Sequence, residues 1–302
     1  MFKFEKEQKI FEVGGVKIGG QPGELPTVLV GNLSCKSLRK NENSSFYSKE
    51  LEGLIKFQEE ISDRTGVPFM LDVFGESIEV LRKYINFVSE ITDVPFLING
   101  PNLSVRLNAA NYAKEIGLVD RTVYNSVTYE DKEKEILAIA STGLKAAIIQ
   151  AFNPRNPLPE GMIRLLKGRT GEEGLIGKAL RAGLEKILIL TPGLDVPSIG
   201  FAVRAVYSAK KEFGLPAGTA AVGVVGGWKK IRNFGRQAEK VCIAGAAALA
   251  QTMGADFIMY GSIAKAKEIF PVCGMIDAII AYNAKTLNLK PLTKNHPLFR
   301  IF

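Results

Sequence analysis

The chain is poor in the residues that usually organise metals and nucleophiles. It contains one histidine, His296, in 302 residues. That histidine lies in the tail "TKNHPLF", so a His-rich metal site and a His-based triad are both effectively excluded. Its three cysteines, Cys35, Cys242 and Cys273, are scattered and lack CxxC spacing. An odd, dispersed set does not make a disulfide framework and fits a reducing, cytoplasmic setting. No secretory signal is expected, because the opening "MFKFEKEQKIF" breaks every apolar stretch with a charge. No apolar run approaches the roughly 18 residues of a membrane-spanning helix. No GxGxxG turn is present, which disfavours a doubly wound dinucleotide-binding sheet. Lysine and arginine form no dense block and no aromatic-interleaved repeat. The net charge of +8 therefore reads as solubility, or as attraction for an anionic substrate or partner, rather than as a nucleic-acid surface.

What the chain does have is alternation. Apolar residues make up 46% of it, enough for one large core. Short β-branched runs alternate with longer segments of helical period. "TVLVGNL" (27–33) precedes a helix over 46–66, in which Leu51, Leu54, Ile55, Phe57 and Ile61 line one face and Gly66 supplies the stop. Further strands are expected at 69–75, 95–100, 122–128, 146–152, 186–192, 220–227 and 257–263, each followed by a helix. The strands are continuous apolar runs, as expected when both faces are buried. Eight such units predict an α/β fold of the TIM (β/α)₈ barrel type, a single domain over 1–302. An open doubly wound sheet is the alternative. Residues 1–26 form an N-terminal extension, in which "KIFEVGGVKIGGQPG" (9–23) predicts a β-hairpin turning at Gly14-Gly15 and placed to plug the barrel bottom.

In such barrels chemistry lies at the C-terminal ends of the strands. Taken in order, these ends offer Asn32 and Ser34, Asp72 and Glu76, Asn99 and Asn102, Asn125, Ser126 and Thr128, Gln150 and Asn153, Thr191 and Asp195, then Tyr260 and Ser262. The seventh offers little but glycine. Amides recurring at the first, third, fourth and fifth tips suit a flat heterocycle rich in donors and acceptors. The competing explanation is that such residues merely cap strand ends and satisfy loop backbone. The long segment 153–174 after the fifth strand carries Arg155, Arg164, Lys167 and Arg169 and reads as a mobile lid. Glycine-rich turns after strands seven and eight allow a phosphate site instead.

The stretches "VGGVKIGGQPGELPTVLVG", "KYINFVSEITDVPFLING", "YNSV", "AFNP" and the sixth strand segment resemble the H subunit of tetrahydromethanopterin S-methyltransferase. They also resemble its bacterial relatives that use tetrahydrofolate. The resemblance runs from about residue 1 to about 290. It implies a pterin-binding barrel that moves a methyl group between N5 of a reduced pterin and the cobalt of a corrinoid (cobalamin) carried by a separate protein. It also implies a corrinoid protein or methyltransferase-complex subunit as partner, a homodimer, and no nucleic acid. Together with the strand ends it selects Asp72, Asn99, Asn125, Gln150, Asn153 and Asp195 as pterin-binding candidates. Three positions depart from the family pattern. Asn99 stands where an acid is expected on strand three, Leu190 where another is expected on strand six, and Gly223 where strand seven commonly carries asparagine. Asp72 and Glu76 are the acids available to compensate. A family member that binds without turnover is the alternative these departures raise.

Overall fold

A computed structural model describes residues 1–33 and 45–302; Ser34 and Cys35 lie outside them. The strands are β1 (Ile10–Val13), β2 (Val16–Gly19), β3 (Val28–Asn32), β4 (Phe69–Phe74), β5 (Phe96–Asn99), β6 (Thr122–Val127), β7 (Ala146–Gln150), β8 (Gly168–Arg169), β9 (Glu172–Glu173), β10 (Lys186–Thr191), β11 (Ala217–Thr219) and β12 (Phe257–Ser262). The helices are α1 (Ser45–Thr65), α2 (Ile78–Ile91), α3 (Leu103–Glu115), α4 (Glu133–Ser141), α5 (Pro159–Lys167), α6 (Leu175–Arg181), α7 (Ile199–Phe213), α8 (Ala221–Gly227), α9 (Gly235–Thr252), α10 (Ala266–Ala284) and α11 (Pro297–Arg300). Strands β3 to β7 and β10 to β12 close into one parallel barrel, with β12 pairing back onto β3. This is the expected (β/α)₈ architecture, and no helix among the described residues is long and apolar enough to cross a membrane.

Each barrel strand is buried on both faces, yet its alternate residues belong to different cores. Leu29, Leu71, Ile98, Tyr124, Ile149, Ile189 and Ile258 point outward into the layer shared with the helices. Val30, Met70, Leu97, Val123, Ile148 and Leu188 fill the barrel itself. This is the period-two alternation of a strand, hidden in the sequence because both sets are apolar.

The N-terminal hairpin closes the bottom. Gly14 (φ 51°) and Gly15 (φ 82°) make its turn, a geometry that demands positive φ at both central residues. Val13 and Ile18 are 1% exposed and pack with the interior set. Buried acids anchor the same end. Asp277 accepts from Thr27 N–H and Thr27 Oγ1, both at 2.8 Å, fixing the entry to β3. Asp256 accepts from Ala217 N–H at 2.8 Å and pairs with the buried Lys210, which also donates to Gly20 O at 3.0 Å.

The seventh barrel strand departs from expectation. The strand is Ala217–Thr219, and the run expected to be extended, 220–227, is mostly helix α8. "AVGVVGG" is too short for its period to decide between strand and helix. The tertiary structure decides it, burying Val222 and Val225 at helical spacing. The true strand has almost no β signal because the barrel wall is crowded there. A Cβ on Gly218 would stand 2.2 Å from Phe257 O and 2.6 Å from its ring. Segment 153–174 also differs from a structureless loop, since it folds as α5 and the small β8–β9 hairpin.

Candidate functional site

The inward positions turn polar at the C-terminal end of the barrel. Adjacent strands pair Asn32 with Asp72 and Asn99 with Asn125. Asn32 continues the inward parity of Val30, Asp72 that of Met70, Asn99 that of Leu97, and Asn125 that of Val123. The three amides converge on the one carboxylate. Asn32 Nδ2 donates to Asp72 Oδ2 at 2.6 Å. Asn99 Nδ2 donates to both Asp72 oxygens at 3.1 Å. Asn125 Nδ2 donates to Asp72 Oδ1 at 3.1 Å.

Asp72 is 3% exposed, and its contacts are amide donors rather than a cation. Burial therefore pushes its carboxyl above the ordinary range, while the bonds from Asn32, Asn99 and Asn125 pull the other way. The hub also fixes the amides. An ionised carboxylate only accepts, so each asparagine must turn its NH₂ toward Asp72. Among the described residues no hydrogen bond occupies Oδ1 of Asn99 or Asn125. Acceptors are thus presented to the mouth by groups held from behind. Gln150 ends β7, inward like Ile148 and beside Leu190. It is half-buried, and no described partner takes its amide.

The two explanations of the strand-end polar residues divide cleanly between positions. Asn32, Asp72, Asn99 and Asn125 form the hub. Others serve the backbone. Asn102 caps α3 through Val105 N–H at 3.0 Å, and Thr128 N–H is held by Asp131 at 2.6 Å. Asn153 accepts from Arg155 N–H at 3.1 Å and donates to Gly161 O at 3.0 Å. Asp195 is exposed and accepts from Ser198 N–H at 2.9 Å, which lowers its carboxyl. Thr191 and Tyr260 face outward, the first donating to Ala202 O at 2.9 Å and the second accepting from Gln58. Of the six pterin-binding candidates, the structure gathers Asp72, Asn99 and Asn125 in the hub, places Gln150 at the same end, and engages Asn153 and Asp195 in their own loops. Asn32, a strand end left out of that set, joins the hub. The signal that finds it is strand parity.

The remaining departures also gain a location. Leu190 is 7% exposed and belongs to the barrel interior. Gly223 lies on helix α8 and not on a strand; the strand-seven tip is Thr219, whose hydroxyl donates to Thr191 O at 2.8 Å. Beside the turns after strands seven and eight is a cavity of about 190 Å³ containing Glu239 and Glu268. Lys265 and Lys240 sit 3.5 and 3.4 Å from those acids. This is an unfavourable setting for phosphate.

Comparison with known proteins gives the family. The model of the family described as tetrahydromethanopterin S-methyltransferase MtrH subunit matches residues 6–292. The chain belongs to that family. It is 38% identical to the H subunit of tetrahydromethanopterin S-methyltransferase of Methanothermobacter thermautotrophicus, with all of both chains covered. It is 37% identical to the H subunit of the putative methyltransferase mtx of Methanosarcina mazei, covering 99% of each. Among solved structures, dihydropteroate synthase of Yersinia pestis with a pterine-sulfa conjugate aligns with a TM-score of 0.62 at 14% identity, over 90% of this chain and 99% of that one. The synthase of Xanthomonas albilineans with 7,8-dihydropteroate gives 0.55 at 15%, over 92% and 98%. At such identity the likeness shows the fold alone.

Proposed function

We propose that this member of the MtrH family is a methyltransferase that binds a reduced pterin on the Asp72 hub and exchanges its N5 methyl group with the cobalt of a corrinoid carried by a partner protein. The observation that carries this reading is the convergence of Asn32, Asn99 and Asn125 on one buried carboxylate at the barrel mouth. A pterin edge is an amide fused to an amidine and is rich in N–H donors. The hub supplies acceptors, Oδ1 of Asn99 and Asn125, that are preorganised because their NH₂ groups are already engaged. This acceptor set fits that edge.

The chemistry supplied by the corrinoid is a strongly nucleophilic cobalt(I). A tertiary amine leaves poorly, so N5 must be protonated or hydrogen-bonded as the methyl departs. The chain's part is to hold the ring in one plane, keep its opposite face open, and offer polar groups near N5. The acid expected on strand three is absent, but Asp72 on the neighbouring strand supplies a carboxylate and Asn99 bonds it directly. The loss of a charge at position 99 therefore does not leave the cradle without one.

Titration calorimetry with methyl-tetrahydrofolate and methyl-tetrahydromethanopterin, followed by transfer to cob(I)alamin, tests the reading. Binding of one of them with turnover is expected. Binding without turnover would leave only a carrier or docking protein, and binding of neither would remove the pterin assignment.

A further inference from the structure

Beside the hub the chain builds a second, basic cavity. It has a volume of about 380 Å³ and is walled by Tyr129 after β6, by Asn153 after β7, by α5, by the β8–β9 hairpin and by α6. Arg155, Arg164, Arg169 and Lys178 line it. Among the described residues none of these four is in an ion pair. Two of the three acids present are engaged: Asp131 holds Thr128 N–H at 2.6 Å, and Glu173 holds Arg181 at 2.7 Å. Four cations thus face two carboxylates without a cationic partner, Asp131 and Glu172. A shallower groove continues the strip outward and shares Arg164 and Arg169. Concave, like-charged walls focus potential on whatever enters, and guanidinium forks match carboxylates and phosphates.

Position turns this from surface charge into a subsite. Asn153, in the cavity wall, is three residues beyond Gln150, so it lies at most about 10 Å from it along the chain. Tyr129 is four residues beyond Asn125, at most about 14 Å away. The cavity therefore opens on the same rim as the hub, on the side of β6 and β7. A ligand whose ring rests on the hub and whose substituent leaves toward those strands must cross it.

We propose that this cavity holds the anionic tail, carboxylate or phosphate, of the reduced pterin bound at the hub, with Arg164 and Arg169 as its main contacts. The inference rests on the pterin reading above. Its test compares wild type with R164Q, R169Q and the double variant by calorimetry at two salt concentrations. The ligands are methyl-tetrahydrofolate with one and with several glutamates, methyl-tetrahydromethanopterin with its phosphate-bearing tail, and an N5-methyl tetrahydropterin without a tail. The double variant is expected to lose at least tenfold in affinity for a tailed ligand and most of its salt dependence. Its affinity for the tailless ligand should remain within twofold of wild type. A larger loss for the glutamylated ligand identifies a carboxylate site, and a larger loss for the methanopterin ligand a phosphate site. Equal losses with and without a tail, or none, would overturn the proposal while leaving the hub intact. A defect seen only in turnover with a corrinoid protein would also overturn it and make the cavity a protein-docking surface. Failure of the tailless and tailed ligands alike to bind wild type would end the pterin reading and this inference with it.

Discussion

Asn99 donates to both oxygens of Asp72, at 3.1 Å each. The pair ties the tips of β4 and β5 together, so the asparagine that stands where an acid is expected is integrated with the carboxylate rather than idle. Replacing Asn99 by aspartate, which would restore the expected acid, sets two carboxylates against each other in a buried site. One proton must then be shared, as like charges at hydrogen-bond distance do not both ionise. N99D is expected to bind methylated pterin more weakly than wild type, with affinity falling further as pH rises from 6 to 8. Calorimetry across that range measures it, and stronger binding by N99D at pH 8 would show that the hub is misread.

Removing the hub carboxylate should matter more than removing any one amide. D72A frees the amides of Asn32, Asn99 and Asn125 to rotate and takes away four charge-assisted hydrogen bonds. Each such bond is worth about 1.5–3 kcal/mol, partly recovered by water. Pterin affinity is expected to drop by roughly tenfold to a hundredfold, while the helical circular dichroism stays unchanged. N125A should cost less than D72A in the same titration.

The stability of the fold carries two opposed titrations. Burial raises the Asp277 carboxyl to about 7, against donation from Thr27 and Gln251. Its folded value exceeds its unfolded one, so its contribution is complete below about pH 4 and is lost as pH rises through about 7. Burial lowers His296 to about 4, so its contribution is complete above about 6.5 and is lost as pH falls through about 4. Each effect amounts to about 3 to 4 kcal/mol at most, and they oppose each other between pH 4 and 6.5. D277N should therefore gain stability relative to wild type as pH rises through that window. H296N, which keeps an acceptor for Leu298 N–H, should lose stability relative to wild type over the same rise. Urea midpoints at pH 4.5, 5.5, 6.5 and 7.5 report both; parallel curves for all three proteins would refute the assignment.

The bottom of the barrel should govern stability and leave binding alone. Ile18 is 1% exposed within the interior core, and I18A is expected to cost about 2–5 kcal/mol. K210A strands the buried Asp256 and should cost about 3–5 kcal/mol. Pterin affinity, measured well below each variant's melting temperature, should match wild type, because the hub lies at the opposite ends of the strands.

The strand-and-helix alternation, the Gly14-Gly15 hairpin and the amide-rich tips are local features, and periodicity and turn chemistry determined them before any contact was known. Seven barrel strands lie within a few residues of where apolar runs placed them. The eighth, "AGT", does not, because its small residues answer the crowding of Phe257 rather than any strand propensity. The polar tips could be recognised individually, but not sorted. Whether a given asparagine caps a loop or faces the barrel axis depends on strand parity and on where the strand ends. One residue's shift reverses the answer. Only the side-by-side packing of β3 to β6 brings Asp72 within reach of amides 27, 40 and 53 residues away, since hydrogen bonding across strands is a property of neighbours in space. The basic cavity is likewise a product of the fold: its arginines are scattered along one segment until α5 and the β8–β9 hairpin turn them onto a common wall.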